Sequence, residues 1–542
     1  MPSSLSSGQD NAAAVVNSAL WAAYGDAIGF MTELAHKPSG LMQRVGSDRV
    51  ERLQPWKRRV GGRFGVELTL PAGTYSDDTQ LRLACSRAIR SSGRFDVESF
   101  SKIELPIFLS YELGGGRGTR TAASELTKRS VRWSNNFFDG QGGNYIAGGG
   151  NGAAMRIQPH VWASRTYNAD EFLPDVVVNS ICTHGHARGF VGAAWHAITL
   201  ASALREQKLP DPESAARDLR LTGRLPELVR ELPLVGELWV PVWEQRANQQ
   251  LEEAVGKVIE EGLEQLQLIE RTQANGGRYA DVVHALDGTD PATRGSGMTT
   301  AALSIALVSI HGDDPHGALV TAANVLGSDT DTIATLAGAL FGAVVSEQPP
   351  SAVQDQAYIV AEAQRLARIA TGEVERDFPY PDLLKWTPPK THLDAIGESD
   401  GSIAVAGLGK AVETGEPIPA RGRDKAIWQW LILAHGQSVL TRRRETLRQM
   451  PSELLPGSAG NGRRREAPTL FDEQTDPSAQ PVQRQGRLDL DTATKRAIAA
   501  DFDAEVIGQH LLAFAEEEQG IEFAVAYASI IAKARRARRQ RS

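Results

Sequence analysis

Two short runs in this sequence carry the residue types that hold hard cations. Ser76-Asp77-Asp78-Thr79 and Ser328-Asp329-Thr330-Asp331-Thr332 each set carboxylates beside hydroxyls at the start of an apolar, helix-spaced segment. Taken singly, each has a structural explanation: acidic and hydroxyl side chains at a helix N-terminus satisfy free amides and complement the macrodipole. Taken together they allow more. Four carboxylates brought into contact repel, and several must then stay protonated at neutral pH. Mg²⁺ or Mn²⁺ removes that conflict, because both accept oxygen ligands from Asp, Ser, Thr and water. A pair of such ions ~3.5–4 Å apart activates water and holds substrate oxygens. Spacing alone leaves open whether the two runs meet.

Three further motifs are candidates for the rest of a site. Gly25-Asp26-Ala27-Ile28-Gly29 closes the first helical segment, with Glu33 seven residues after Asp26. A glycine-dense loop, 140–152, ends in Gly150-Asn151-Gly152 and runs into Ala153-Ala154-Met155-Arg156, where backbone amides can face an anion. Thr183-His184-Gly185-His186 follows Cys182, but no second Cys/His pair stands at finger-like spacing. A histidine that stacks on or hydrogen-bonds a ligand is therefore favoured over structural zinc. The other glycine-dense loop, 113–118, reads as a surface connection. The sequence holds no Walker phosphate loop, no His-Glu-x-x-His and no Gly-x-Ser-x-Gly elbow.

The elements that must position these motifs are helical. Apolar residues recur at three- and four-residue steps over 12–27, 77–90, 213–219, 227–232, 243–268, 299–310, 315–326, 330–345 and 352–370. Alternating segments are scarce, 66–70 and 403–406 being the best, so the fold class is all-α, a domain of many packed helices. After residue 345 the character changes. Residues 379–389 form a proline-punctuated link, and 426–450 reads as one amphipathic helix ending in Arg442-Arg443-Arg444. Residues 451–487 have a disordered linker's composition, with Pro468-Thr469-Leu470-Phe471-Asp472 as an apolar island. Residues 488–542 return to helical spacing and end in a basic run, 533–541.

Bulk properties narrow the class. The 542 residues are 41% hydrophobic, enough for a substantial core. A net charge of −8 argues against nucleic-acid binding except through the basic tail. Two cysteines, Cys85 and Cys182, suit a reducing compartment. With no secretory pattern at the N-terminus and no apolar stretch near ~20 residues, a cytoplasmic protein without membrane partners is expected.

The five motifs, in this order, resemble the ADP-ribosylglycohydrolase family, which includes the dinitrogenase reductase-activating glycohydrolase and the ADP-ribosyl-acceptor hydrolases. The likeness rests on Gly25–Gly29 with Glu33, Thr74–Thr79, Gly150–Arg156, Thr183-His184 and Gly327–Ala334. It spans about residues 11–345 and is least typical over 205–294. It implies a large orthogonal multi-helix catalytic domain over 11–390; beyond it no resemblance extends, and the residues themselves read as a helical extension over 391–450, the linker over 451–487 and the tail over 488–542. It further implies two Mg²⁺ (or Mn²⁺) held by Ser76, Asp77, Asp78, Asp329, Asp331 and Thr332. Ser76 stands where some relatives have threonine, and Ser328 where glycine is usual. Asp26, Gly150, Asn151, Gly152, Met155 and His184 would bind an ADP-ribosylated substrate. Asp77, Asp78 and Glu33 would carry the acid–base chemistry that releases ADP-ribose from its acceptor. An ADP-ribose-binding module without turnover and a Mg²⁺-dependent phosphohydrolase are the alternatives.

Overall fold

Alanine-rich helices can approach one another closely, and the core of this chain is built on that property. In the computed structural model, which describes residues 4–62, 65–140, 142–421, 425–457, 489–516 and 520–539, the first helix is α1 (Ser4–Phe30). It lies antiparallel to a late helix, and glycines set the spacing at every turn. A methyl group at Gly342, Gly338, Gly25 or Gly29 would fall 2.4, 2.2, 2.1 and 2.3 Å from the carbonyl oxygens of Asn17, Trp21, Ala334 and Thr330 respectively. Backbone therefore touches backbone along the whole contact. Thr330 Oγ1 also donates to the Gly29 carbonyl at 2.9 Å, tying the C-terminal end of α1 to the start of that late helix.

The other helices around this pair follow from their sequence spacing. After α1 comes a hairpin of β1 (Trp56–Val60) and β2 (Val66–Leu70), paired antiparallel. Next are α2 (Asp77–Ala88), α3 (Ala187–Glu206) and α4 (Gly297–His311). The late helix packed on α1 is α5 (Thr330–Gly342), followed by α6 (Gln356–Ala370). Buried apolar side chains cover all faces of α4 and α5, which places both in the core. Among the described residues no helix is long and apolar enough to cross a membrane.

Residues 391–450 correct one expectation. The extension is not helical but a five-stranded antiparallel meander: β3 (Ile396–Ser399), β4 (Ser402–Val405), β5 (Gly409–Pro419), β6 (Ala426–Leu433) and β7 (Ser438–Arg444), in that order. The segment 426–450, read as one amphipathic helix, is a hairpin. Gly436, at φ 105°, supplies the reversal that a helix has no place for. Ile427, Trp428, Trp430 and Ile432 are β-branched or aromatic and favour the pleated surface.

The sheet is anchored to the helices by a buried charge network. Arg87 near the end of α2 makes two 2.8 Å bonds to Glu104, both side chains being almost fully buried. Tyr380 donates to Glu104 Oε1 at 2.5 Å, and Arg87 also donates to Gln437 Oε1 at 2.7 Å.

The chain divides into two compact units, the first comprising 1–226 and 247–458. In the second unit, α7 (Leu490–Ala499), α8 (Ala504–Ala515) and α9 (Gly520–Arg539) pack around Ala493, Ala497, Phe502, Phe514, Tyr527 and Ile531. The stretch read as a linker, 451–487, is ordered at its start, where a helical turn at Ser452–Leu454 puts the Leu454 carbonyl 2.7 Å from the Gly407 amide; residues 458–488, with the Pro468–Asp472 island, lie outside the described residues, as does the end of the basic run after 539.

Candidate active site

The first acidic run is held by its own helix start. Ser76 is the N-cap of α2, its Oγ accepting from the Asp78 amide at 3.2 Å. Asp26, fully buried at the end of α1, accepts from the Ser76 amide at 2.8 Å and from the Thr79 amide and hydroxyl at 2.9 and 2.5 Å. With Ser76 and Asp26 doing the capping, the side chains of Asp77 and Asp78 are released from it. In the second run Asp329 is the N-cap residue of α5, yet its carboxylate makes no capping bond. It accepts instead from Asn151 Nδ2 at 2.7 Å.

The two runs meet. Thr332 Oγ1 donates to Asp78 Oδ1 at 3.3 Å, across 254 residues of sequence. A cavity of about 690 Å³ opens over this junction, lined by Asp77, Asp78, Asp329, Asp331 and Thr332, with Glu33 at one side. Gly150, Asn151, Gly152, Met155 and His184 line it as well. Asp26 and Ser76 are not among the residues that line the cavity, and the hydrogen bonds above engage both in fixing the start of α2.

The loop read as a surface connection, 113–118, is also part of the wall. Gly114 to Gly118 line the cavity. A methyl at Gly114, where φ is 104°, would stand 2.8 Å from Asp77 Oδ1. The Leu113 carbonyl accepts from the Asp77 amide at 2.8 Å, so this loop closes over the carboxylate. The opposite loop is just as tight, since a methyl at Gly152 would meet His184 Cε1 and Thr119 Oγ1 at 2.8 Å.

His184 is a neutral imidazole here. Arg156 donates to Thr183 Oγ1 at 2.9 Å, and that hydroxyl lies 2.7 Å from His184 Nδ1. The same hydroxyl also donates to the Ser180 carbonyl at 3.4 Å, which holds Thr183 between the helix end and the imidazole. Burial, reinforced by Arg156, pushes the imidazole down to about 3. Asn151 spends both amide protons, on Asp329 and on Thr300 Oγ1 at 3.0 Å, so it orients a carboxylate as well as lining the cavity.

The carboxylates bear the electrostatic cost of this convergence. Burial raises Asp77, Asp78 and Asp331 well above the usual carboxylate range. Neighbouring charge adds to it: Glu33 and Asp26 on Asp77, Asp26 and Asp77 on Asp78, Glu33 and Asp329 on Asp331. Glu33 is raised by burial against the opposing pull of Arg58, which holds its Oε2 with two 3.1 Å bonds. Arg58 lies 4.1 Å over the Phe30 ring. It was not singled out in the sequence, although alternation along β1 turns it to the same side as buried Trp56 and Val60.

The donor set suits a hard divalent cation: carboxylate and hydroxyl oxygens with no thiol among them. Asp78 Oδ2 is buried with no hydrogen-bond partner. Among the described residues no three Asp, Glu, His or Cys side chains already close on one point as a finished cage. Cys182 donates to the Val178 carbonyl at 3.2 Å, away from any metal-ligand cluster.

Residues 9–377 match the model of the ADP-ribosylglycohydrolase family. The chain belongs to this family. ADP-ribosylglycohydrolases are hydrolases that act on ADP-ribose linkages, and the match covers every residue of the cavity named above. A solved structure described as an ADP-ribosylglycohydrolase-related protein complex aligns with 67% of this chain and 99% of its own, at 20% identity and a TM-score of 0.41. No curated protein sequence matches the chain.

Proposed function

We propose that this ADP-ribosylglycohydrolase releases ADP-ribose from a modified acceptor, using two Mg²⁺ or Mn²⁺ ions at Ser76, Asp77, Asp78, Asp329, Asp331 and Thr332. The observation that carries the reading is the contact between Thr332 and Asp78, which joins two carboxylate runs at the floor of one glycine-walled cavity. Bound there, the ions would act as Lewis acids toward ribose oxygens and an attacking water. The chain's own residues do the rest. The close-set glycines of 113–118 and 148–152 admit a phosphate-bearing substrate to backbone amides. His184 presents its neutral imidazole to the same space. Asp77 or Asp78 takes a proton from water as the new C1″–O bond forms; the glycosidic bond to the acceptor breaks, and the acceptor leaves with a proton. Glu33, anchored by Arg58, sits at the edge of the cluster and serves as a guard of the cations.

Product analysis tests this directly. A panel of acceptors bearing ADP-ribose on arginine, serine, a nucleobase or an acetyl group is incubated with Mg²⁺ and with chelator. Free ADP-ribose formed only with Mg²⁺ is expected. AMP or ribose phosphate as product would establish phosphohydrolysis instead, and binding without product would establish a recognition module.

Cation binding has a second, independent consequence. A carboxyl whose folded pKa lies above its unfolded value contributes stability below the unfolded pKa and loses it as pH rises through the folded one. Asp77, Asp78 and Asp331 are all raised in this sense. Without cations the protein should therefore lose stability from about pH 4 upward. Mg²⁺ or Mn²⁺ replaces the protons, so its stabilisation should grow with pH and reach about 2.7 kcal/mol at a hundredfold excess over Kd. Thermal melts at pH 5 and pH 8 with and without the ion check this. A cation effect that is absent at pH 8 would count against the proposed centre.

A further inference from the structure

We propose that the five-stranded sheet beyond the family match is a brace for helix α2, with Asp355 as the positioning residue that couples it to the carboxylate loop. This rests on the metal reading above only for what the brace is for; the coupling itself is geometric. Asp355 is the N-cap residue of α6 and holds φ at 57°, a left-handed conformation that a non-glycine residue adopts only when its surroundings demand it. Its carboxylate shows what demands it. Tyr75, immediately before the cap of α2, donates to Asp355 Oδ2 at 2.6 Å. The Ser438 amide donates to the same oxygen at 2.7 Å, and the Ser438 hydroxyl to Oδ1 at 2.6 Å. Beside it the Gln354 amide donates to the Gly73 carbonyl at 3.0 Å, fastening the same loop by backbone.

The grip is double. Gln437, the residue before Ser438, accepts from Arg87 at the far end of α2. Two consecutive residues at the start of β7 therefore reach both ends of the helix that begins with Asp77 and Asp78, one directly and one through Asp355. Tyr380, also outside the matched 9–377, completes the hold through Glu104. A helix start fixed from both ends keeps its carboxylates in place despite their mutual repulsion, which is the service an outer layer of hydrogen bonds gives to a metal site.

The test uses the full chain with Tyr75→Phe and, separately, Ser438→Ala. Amide hydrogen exchange over residues 74–81 is measured without cations, and Mn²⁺ affinity by titration. Thr441→Val, which removes a hydrogen bond to the Gln429 carbonyl inside the sheet, is the control for general loosening. Both brace variants should exchange about tenfold faster over 74–81 and bind Mn²⁺ about tenfold more weakly. Ser438→Thr, which keeps the hydroxyl, should restore both, and the control should change neither. Wild-type exchange in Tyr75→Phe, or an equal acceleration in Thr441→Val, overturns the brace. If the wild-type chain binds no Mn²⁺, the metal reading falls and the exchange measurement alone decides the brace.

Discussion

Asp78→Asn is expected to lower kcat/KM for ADP-ribose release by about 10³-fold or more, while making the cation-free protein more stable at pH 8. The two effects have one cause. Asp78 is almost completely buried, is pushed toward the protonated form by burial and by Asp26, Asp77 and Asp329, and leaves Oδ2 without a partner. An amide keeps the oxygen that accepts from Thr332 and turns the orphaned atom into a donor toward neighbouring carboxylates. It thereby removes a charge whose burial costs about 1.4 kcal/mol for each unit of pKa displacement. On the proposed mechanism it also removes a cation ligand and a candidate base. Product assays with Mg²⁺, paired with urea unfolding in chelator, read both quantities. A helix-capping aspartate would behave in the opposite way, losing stability without losing turnover; that pattern would sink the assignment. Asp329→Ala, which also frees Asn151, should reproduce the loss of turnover.

Gly25→Val should destabilise the fold by about 3 kcal/mol or more, since rigid backbone leaves overpacking no escape. The obstacle is the Ala334 carbonyl, 2.1 Å from where the first new carbon would sit, with the Thr335 amide nitrogen at 3.1 Å. Relief requires α1 and α5 to separate, and the Asp329–Thr332 run goes with α5. Turnover and stability should fall together. Gly256, inside helix Leu251–Ala274 with nothing within 4 Å, supplies the contrast. Gly256→Ala should stabilise by about 0.5–1 kcal/mol, the ordinary helix preference. Unfolding midpoints of the two variants in urea check both signs, and a neutral Gly25→Val would show that the helices are not in backbone contact.

Much of this arrangement could be read from residue order. The helices that carry the acidic runs announce themselves by apolar spacing, and β1–β2 was half visible in the alternation of 66–70. The meeting of Asp78 with Thr332 was not, because a 254-residue separation leaves no local trace. The glycines at 25, 29, 338 and 342 stand in plain view at four-residue steps, but which faces which depends on the antiparallel packing of α1 on α5. The loop 113–118 was misjudged for a related reason: glycine permits a close approach without naming the partner, here Asp77. Motif order also hides the hydrogen bonds by which Asp26 and Ser76 hold the start of α2, since it does not distinguish a group that touches ligand from one that holds its neighbour. Residues 426–450 admit two readings because Ile427, Trp430, Leu431 and Ala434 stand at helical steps while Ile427, Leu431 and Leu433 alternate as in a strand, and the turn at Gly436 decides between them.

The pair of Arg87 with Glu104 also says where this protein must not be cut. The recognisable family region stops at 377, and a recombinant fragment ending there would seem a complete enzyme. It would lack Tyr380, which caps Glu104 Oε1, Gln437, which takes the remaining guanidinium nitrogen of Arg87, and Trp386, whose indole donates to the Lys102 carbonyl at 2.8 Å. An ion pair sealed from water in the whole chain would be laid open on one side, together with the apolar surface that the sheet covers. A fragment that keeps these contacts has to run at least to residue 457, some eighty residues past the point that sequence similarity suggests.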